Sequence, residues 1–462
     1  MARRTVTALA VAMAKIADLE ERLRQNSGNS SRPPSSDPPS LKRKPKKPRS
    51  GRKPGGQPGH EAHFRPLVPV EQVDHVTPVH PKSCTNCGSK HLVDSGSIPD
   101  RHQVTELPEV KAKVTETQLF SDICLDCGAT VRAELPSGVP AGCFGPRLQA
   151  FVATCRGVYH LSVRAIIALM RDTYGVEMSE GSVIACQDAA SNAVQAPVAE
   201  AYAYVQAQPV ANADETSWPQ GNRRKGWLWV AVTPLVTVFL IHLRRGAVAA
   251  KALLAEFNGI LTTDRWKGYL DWALNTRQLC WAHLKRDFAK IAERQGISRR
   301  IGKALIKEEK LLFRWWHKLH RGEISRSTFQ RYVSPLRERV RDLLSQGTEA
   351  RNKKTAGTCR DLLKLFPAMW TFVYVEGVEP TNNAAERALR PAVLWRKNSF
   401  GTQSEAGSRF VERILTVAET LRQQGRNVLQ YMTAAIQAAL DGTTAPSLLP
   451  SVGMEAHAKI RA

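Results

Sequence analysis

The stretch Pro209-Val-Ala-Asn-Ala-Asp214-Glu-Thr-Ser-Trp218 governs how the rest of the chain is read, together with Gly226-Trp-Leu-Trp-Val-Ala-Val-Thr233 and Leu235-Val-Thr-Val-Phe-Leu-Ile-His-Leu243 behind it. The two later runs are dense in β-branched and aromatic residues, the composition of buried strands. Pro234 turns one tightly into the other. Working outward, residues 247–257 read as a helix, residues 259–263 as a strand that delivers Asp264, and residues 277–283 as a further strand-like run. Three strands in a meander, a helix, then strands with helices between them describe a mixed sheet of ribonuclease-H type. Asp214 and Asp264 fall at the ends of two of its strands.

A polar helix begins near Thr381, with Thr381 as its expected cap: Thr381-Asn-Asn-Ala-Ala-Glu386-Arg387-Ala-Leu-Arg390. Asn382, Glu386 and Arg390 recur at i, i+4 and i+8 and share one face. An exposed Glu–Arg pair by itself would mean little; two strand-end aspartates give Glu386 its weight. A phosphodiester is anionic and resists attack, and two magnesium ions about 4 Å apart can hold its attacking and leaving oxygens in line. Hard cations of this kind take carboxylate oxygens. The ions in turn remove the repulsion among bunched carboxylates.

The chain has 462 residues, a length that suits about three domains, and a formal net charge of +24. Apolar residues make up 42%, enough to bury real cores. The charge points to a polyanionic partner, nucleic acid before others, against the plainer reading of a merely basic protein. The longest apolar stretch, residues 227–241, contains Thr233, Pro234 and Thr237 and is too short for a membrane span. Residues 1–25 carry Asp18, Glu20 and Glu21 and no apolar core of signal-peptide type, which argues against secretion.

Leu9, Ile16 and Leu23 repeat every seven residues, with Ala12 and Leu19 on a second seven-residue step. Residues 1–26 therefore read as a short coiled-coil-like helix, which either self-associates or packs on its own protein. Residues 27–62 read as a disordered basic linker. Its cluster of Lys42, Arg43, Lys44, Lys46 and Lys47 suits phosphate contact without sequence preference, the alternative being a solvated spacer.

Nine cysteines form an odd, sparse set that fits a reducing compartment better than a disulfide scaffold. Four make two knuckles, Cys84-Thr-Asn-Cys87-Gly and Cys124-Leu-Asp-Cys127-Gly, with the spacing of a tetrahedral zinc site. Val110, Ala112 and Val114 alternate with charged residues between them, a strand pattern. Residues 63–140 are read as a zinc ribbon holding structural zinc, against a redox pair or plain buried thiols. Residues 141–205 read as helix-turn-helix-like. Ser162 caps a helix bearing Val163, Ile166, Ile167 and Met170, Gly175 breaks it, and Ser179 caps the next with Val183 and Ile184 inward. That last helix has no Lys or Arg, so Ser182, Gln187 and Asn192 are its candidates for reading base edges, with pure packing as the alternative.

Several longer runs carry a resemblance. Asp214-Glu-Thr with Lys225-Gly-Trp-Leu-Trp-Val-Ala-Val, Thr263-Asp264-Arg, Cys280-Trp-Ala-His283, and Thr381-Asn-Asn-Ala-Ala-Glu386-Arg387 with Arg390-Pro, Trp395-Arg-Lys397 and Ser399-Phe-Gly401 are the main ones. With the linker text Gly55-Gly-Gln-Pro-Gly-His60, they closely resemble the large transposase of the bacterial insertion-sequence-sixty-six family. The resemblance implies a DDE transposase. Asp214, Asp264 and Glu386 match its magnesium-binding triad (manganese also serving), and Cys84, Cys87, Cys124 and Cys127 its zinc module. Cys280 and His283 match a motif whose role stays open between aiding a metal, ordering the strand end and packing the core.

The expectation is a multidomain α/β protein with its catalytic domain at residues 206–441. An all-helical insertion at about 290–365 follows Ile301, Leu305, Leu312, Trp315 and Leu319, and residues 442–462 form a flexible tail. Arg299, Arg300, Lys303, Lys307, Lys310, Arg314 and Lys318 line the insertion, as a solvated face or along DNA. Arg387, Arg390, Arg396 and Lys397 are expected to neutralise DNA near the catalytic helix. Implied partners are the element's terminal repeats, target DNA, further copies of the chain and small accessory proteins, in the bacterial cytoplasm at the nucleoid. The rival functions are a non-catalytic DNA-binding protein and a ribonuclease-H-like nuclease that cuts without joining.

Overall fold

The computed structural model describes residues 65–221 and 224–450, and gives Met13, Lys15, Ile16 and Glu20 as helical. The rest of the seven-residue seam and the cluster of Lys42, Arg43, Lys44, Lys46 and Lys47 lie outside the described residues. The chain divides into two compact units, Pro38–Lys111 and the combination of Met1–Asp37 with Ala112–Ala462.

In the smaller unit the Gln103 amide clamps Val68 through both its N–H and its C=O, each at 2.8 Å. The alternation at Val110, Ala112 and Val114 does not become a strand: Val110 and Val114 are exposed and unpaired with any strand among the described residues. Alternation makes a strand only where a neighbour takes the backbone bonds and a surface covers the apolar face. The strands of this region instead flank the second knuckle: β1 (Ser121–Ile123) pairs antiparallel with β2 (Thr130–Arg132).

Four helices follow: α1 (Pro146–Gly157), α2 (Val163–Tyr174), α3 (Glu180–Ala193) and α4 (Gln195–Gln206). Ser162 Oγ accepts from Ala165 N and Ser179 Oγ from Ser182 N, each at 3.1 Å, so both hydroxyls cap as their sequence positions imply. Gly175 ends α2 at φ +65°. Val183 is fully buried, but Ile184 is 45% exposed. It lies about 100° further round the helix and faces outward.

The sheet comprises β3 (Val210–Gln220), β4 (Arg224–Val232), β5 (Thr237–His242), β6 (Ile260–Thr263) and β7 (Arg277–Leu279), in the order β5-β4-β3-β6-β7. The pairs β3–β4 and β4–β5 are antiparallel, and β3–β6 and β6–β7 are parallel. Helix α5 (Ala247–Leu254) makes the crossover from β5 to β6. The strand-like run from Arg277 ends early. Cys280 is the N-cap of α6 (Trp281–Ala292), whose first N–H is taken by Pro380 O at 2.9 Å, so His283 sits in a helical first turn.

The insertion is three helices, α7 (Gly296–His320), α8 (Arg326–Thr348) and α9 (Lys353–Lys364). Ile301, Leu305 and Leu312 are buried in a core shared with Trp281, Leu284 and Phe288 of α6. The short α10 (Thr371–Tyr374) leads back toward the sheet. Helix α11 (Asn383–Ser399) lies on β3 and β4. Then α12 (Glu405–Gln423) lies along β5, and α13 (Val428–Leu440) packs on α1.

Strand β5 is the sheet edge, and α12 closes it with side chains. Thr237 N donates to Thr420 Oγ1, Phe239 N to Thr416 Oγ1 and Ile241 N to Glu412 Oε1. Two residues of strand advance about 6.7 Å and four of helix about 6 Å, so the i, i+4, i+8 face tracks alternate N–H groups of the strand. Bare edges pair with other chains; this one is covered. Burial pushes the Glu412 carboxyl up to about 7, against the pull of Ile241 N–H and Arg409. The folded state therefore holds a proton here that the unfolded chain has released above the ordinary glutamate range. Stability falls as pH rises toward 7 and is level above it, by at most about 3 kcal/mol. Glu412→Gln keeps the acceptor and loses the titration. Its unfolding midpoint is expected to exceed the parent's at pH 8 and to converge on it at pH 5; an equal gap at both would refute this.

Residues 442–450 are not a loose tail. Leu448 is fully buried, Gln424 Nε2 donates to Leu448 O at 2.9 Å, and Tyr431 OH donates to Pro446 O at 2.6 Å. Residues 451–462 lie outside the described residues.

Candidate active site

The parallel pairing of β3 and β6 runs Ala211 opposite Leu261 and Asn212 opposite Thr262. Two residues beyond the last pair stand Asp214, inside β3, and Asp264, just past the end of β6. Asp214 Oδ1 accepts from Glu215 N and Asp264 Oδ1 from Trp266 N, each at 2.9 Å. The Asp214 carboxyl is held well above the usual range, first by burial and then by the negative charges of Glu215, Asp264 and Glu386, with the Glu215 N–H pulling the other way. The negative charges of Glu215, Asp264 and Glu386 thus each favour the protonated form of Asp214.

Glu386 is carried there by Asn382, not by the expected cap Thr381. Asn382 is the N-cap of α11 and is fully buried, but its side chain does not cap the helix. Its Nδ2 donates to Ala213 O at 2.8 Å and its Oδ1 accepts from Asn212 Nδ2 at 3.1 Å. Its backbone N donates to Cys280 Sγ at 3.1 Å. One residue therefore ties the start of the Glu386 helix to the strand immediately before Asp214 and to the N-cap of α6. Glu386 Oε1 lies 3.6 Å from His283 Nδ1 and 3.7 Å from Arg286 Nη2. Burial and Arg286 lower the proton affinity of His283, against the pull of Glu386, Asp264 and Asp287. Among the described residues, the one set of three metal-type donors that closes within 4.8 Å is Cys280, His283 and Glu386. A pair of ions calls for carboxylates spread more widely than a single ion does.

Glu215, adjacent to Asp214, is spoken for. Arg245 grips its Oε1 through Nε at 3.0 Å and Nη2 at 2.8 Å, and Tyr269 OH donates to Oε2 at 2.8 Å. The Arg245 guanidinium lies between the rings of Trp227 and Trp266, 4.6 and 4.5 Å from their centroids. Beneath Asp264, Arg277 is fully buried and donates to Thr263 Oγ1 at 3.2 Å and to Asp264 O at 2.9 Å. Burial lowers its pKa to about 10, against the pull of Asp264. Sequence reasoning missed Glu215, Arg245, Tyr269 and Arg277 as supports. The usable signal was an arginine inside a strand run, which needs a partner if buried.

Residues 141–409, more than half of the chain, match the family model described as Transposase IS66 family. The chain belongs to that family. Residues 3–66 match a second family, of unknown function. Among relatives from Sinorhizobium fredii, the uncharacterized protein y4qI is 28% identical over 51% of this chain and 49% of its own length. The uncharacterized protein y4hP is 27% identical over 74% of this chain and 68% of its own. The chain thus spans about half the length of y4qI.

Elsewhere in this transposase-family chain, the two knuckles repeat one local geometry. Cys84 N donates to Ser89 O and Gly88 N to Cys84 O; Cys124 N donates to Ala129 O and Gly128 N to Cys124 O. Gly88 and Gly128 adopt φ of +76° and +71°, where a side chain would be strained. The N–H groups of Cys87 and Asn86 point at the Cys84 sulfur and those of Cys127 and Asp126 at Cys124, and both thiols are shifted down. Cys84 and Cys87 belong to the smaller unit, Cys124 and Cys127 to the larger.

Of the cations expected near DNA, Arg387, Arg390 and Lys397 are exposed on α11. Arg396 instead bonds Thr216 Oγ1 at 3.1 Å, Ser217 Oγ at 2.7 Å and Ser217 O, pinning α11 to β3. On the insertion, Arg299, Arg300, Lys303, Lys307, Lys310 and Arg314 are exposed, while Lys318 lies over the Trp315 ring. Gln187 is buried with its amide on Val183 O. Asn192 is exposed, with its Oδ1 accepting from Arg413 at 3.4 Å, and the Ser182 hydroxyl lies 2.9 Å from that of Ser179. No helix among the described residues is long and apolar enough to cross a membrane.

Proposed function

We propose that the chain is a DNA transposase with a two-metal Asp-Asp-Glu site on a ribonuclease-H-like sheet. The observation that supports this reading is that the charges of Asp264 and Glu386 both raise the Asp214 carboxyl, after burial and Glu215. The strand order, with three antiparallel strands and then two parallel ones, supports it. The donor set suits magnesium or manganese: all three groups offer hard oxygens, and Glu386 is 39% exposed, open to solvent and substrate. Glu215 is excluded as a ligand because Arg245 and Tyr269 already satisfy both of its oxygens.

Divalent metal, when bound, stabilises the charge on the attacking and leaving oxygens of a phosphodiester. The chain's own groups do the rest. Asn382 fixes the distance between the Asp214 strand and the Glu386 helix. Arg387, Arg390 and Lys397 neutralise phosphates along the exposed face of α11. Water attacks the phosphodiester at the element's end and the 3′-oxygen leaves, taking up a proton to become a 3′-OH. That hydroxyl then attacks a target phosphodiester, joining element to target and releasing a target 3′-OH. The knuckle sulfurs would be the ligands of structural zinc, which holds cysteine as the thiolate. Two ends require at least two active sites, hence copies of this chain together on DNA, with small accessory proteins of the element, at the nucleoid in the cytoplasm.

The test incubates purified protein with Mg²⁺ and a duplex carrying the element's end. Metal-dependent scission with joined products is expected. Scission without joining would favour a nuclease, and binding without any scission would leave a DNA-binding protein.

A further inference from the structure

We propose that Cys280, His283 and Glu386 form a second metal site, suited to one borderline-soft divalent ion of the zinc class. One donor atom from each residue lies within 4.8 Å of the others. The set comes from two helix starts: Cys280 is the N-cap of α6, His283 lies in its first turn, and Glu386 lies in the first turn of α11. The contact of Asn382 N with Cys280 Sγ and that of Trp281 N with Pro380 O hold these helix starts together.

Three observations point to a ligand. His283 Nδ1 is buried and has no hydrogen-bond partner, although it faces Glu386 Oε1 at 3.6 Å. A buried ring nitrogen left this way is uncommon, and a metal would satisfy it. Second, Cys280 Sγ receives backbone N–H groups from Asn382, His283 and Ala282. The last two stand two and three residues after the cysteine, as the N–H donors to Cys84 and Cys124 do in the knuckles. Burial acts against these groups and pushes the free Cys280 thiol up to about 11, so the sulfur keeps its proton until a metal ion takes its place. Third, sulfur, imidazole and carboxylate together select zinc-like ions over magnesium, which avoids sulfur. Three protein ligands also leave a fourth position open.

When the ion binds, the Cys280 S–H bond breaks, its electron pair goes to the metal and its proton to solvent. Arg286 Nη2, 3.7 Å from the same Glu386 oxygen, is the competing partner. Glu386 is shared with the acidic cluster, so an ion here draws one carboxylate away from it. That consequence rests on the transposase reading; the binding site itself does not.

The probe is cobalt, whose thiolate complexes absorb strongly, titrated into chelator-treated full-length protein with Cys84, Cys87, Cys124 and Cys127 changed to serine. A thiolate-to-cobalt band saturating at one equivalent is expected. Adding Cys280→Ser should abolish the band, and adding His283→Ala should weaken binding about 10-fold or more. No band, or a band that survives Cys280→Ser, overturns the proposal. Should the knuckle variant not fold, zinc per chain is counted in the otherwise unaltered protein: Cys280→Ser must lower it by one equivalent, and equal counts overturn the site. No DNA enters these measurements, so failure of this site and failure of the transposase reading are told apart.

Discussion

Asp214→Asn is expected to lower DNA strand scission about 10³-fold or more while leaving DNA affinity nearly unchanged. The amide removes a charged metal ligand but keeps an oxygen to accept the Glu215 N–H. The cations on the exposed face of α11, Arg387, Arg390 and Lys397, are untouched. The same substitution should stabilise the fold when metal is chelated. Asp214 is buried among like charges from Glu215, Asp264 and Glu386, and a neutral side chain there relieves that repulsion. A gain of about 1–2 kcal/mol is expected, the usual trade between stability and a charged site. Gel assays of nicked duplex and thermal melts in chelator read the two effects. Scission at the parent's rate would sink the carboxylate site, and a lower melting point would contradict the crowding of charge.

Asn382→Ala should be the most damaging change outside the carboxylates. Ala213 C=O loses its donor in a buried setting, and the half-buried Asn212 amide keeps only Thr381 O at 3.4 Å. The stability loss should be about 2–4 kcal/mol. Helix α11 then loses its side-chain tether to β3, and Glu386 its fixed distance from Asp214. Scission should fall about 10–100-fold, measured well below the melting temperature. A merely destabilised protein would not change its metal requirement. This variant should need more Mg²⁺ for half-maximal scission and recover in part at high Mg²⁺. An unchanged Mg²⁺ curve would reduce Asn382 to a structural residue.

The two substitutions also mark where sequence reading works and where it stops. Strand and helix identities were legible because their signals are local. The runs at 209–218 and 226–243 became β3, β4 and β5, and Ser162, Gly175 and Ser179 bound their helices as caps and breaks do. The insertion's helices follow from the spacing of Ile301, Leu305 and Leu312. The sequence places Asp214 at a strand end, but β3 runs on to Gln220 because β4 pairs with it along its whole second half; Asp264 does follow the last residue of β6. The alternation at Val110 to Val114 misled because a strand also needs a neighbour, which a single-segment pattern does not contain. The run at 277–283 misled because its end is set by Pro380, remote in sequence.

The chain's own order of residues was enough for most of its helices and strands, its basic character and the spacing of its cysteine pairs. Folding decided which acids are free. Glu215 is adjacent to Asp214, yet Arg245 and Tyr269 occupy it and leave Asp214 exposed to its like-charged neighbours. Folding also decided that Asn382, not Thr381, begins the Glu386 helix, through a bond to a carbonyl 169 residues away. Desolvation and hydrogen bonding act through space. Their partners are chosen by the packing of distant segments, and nothing within one turn or one strand specifies them.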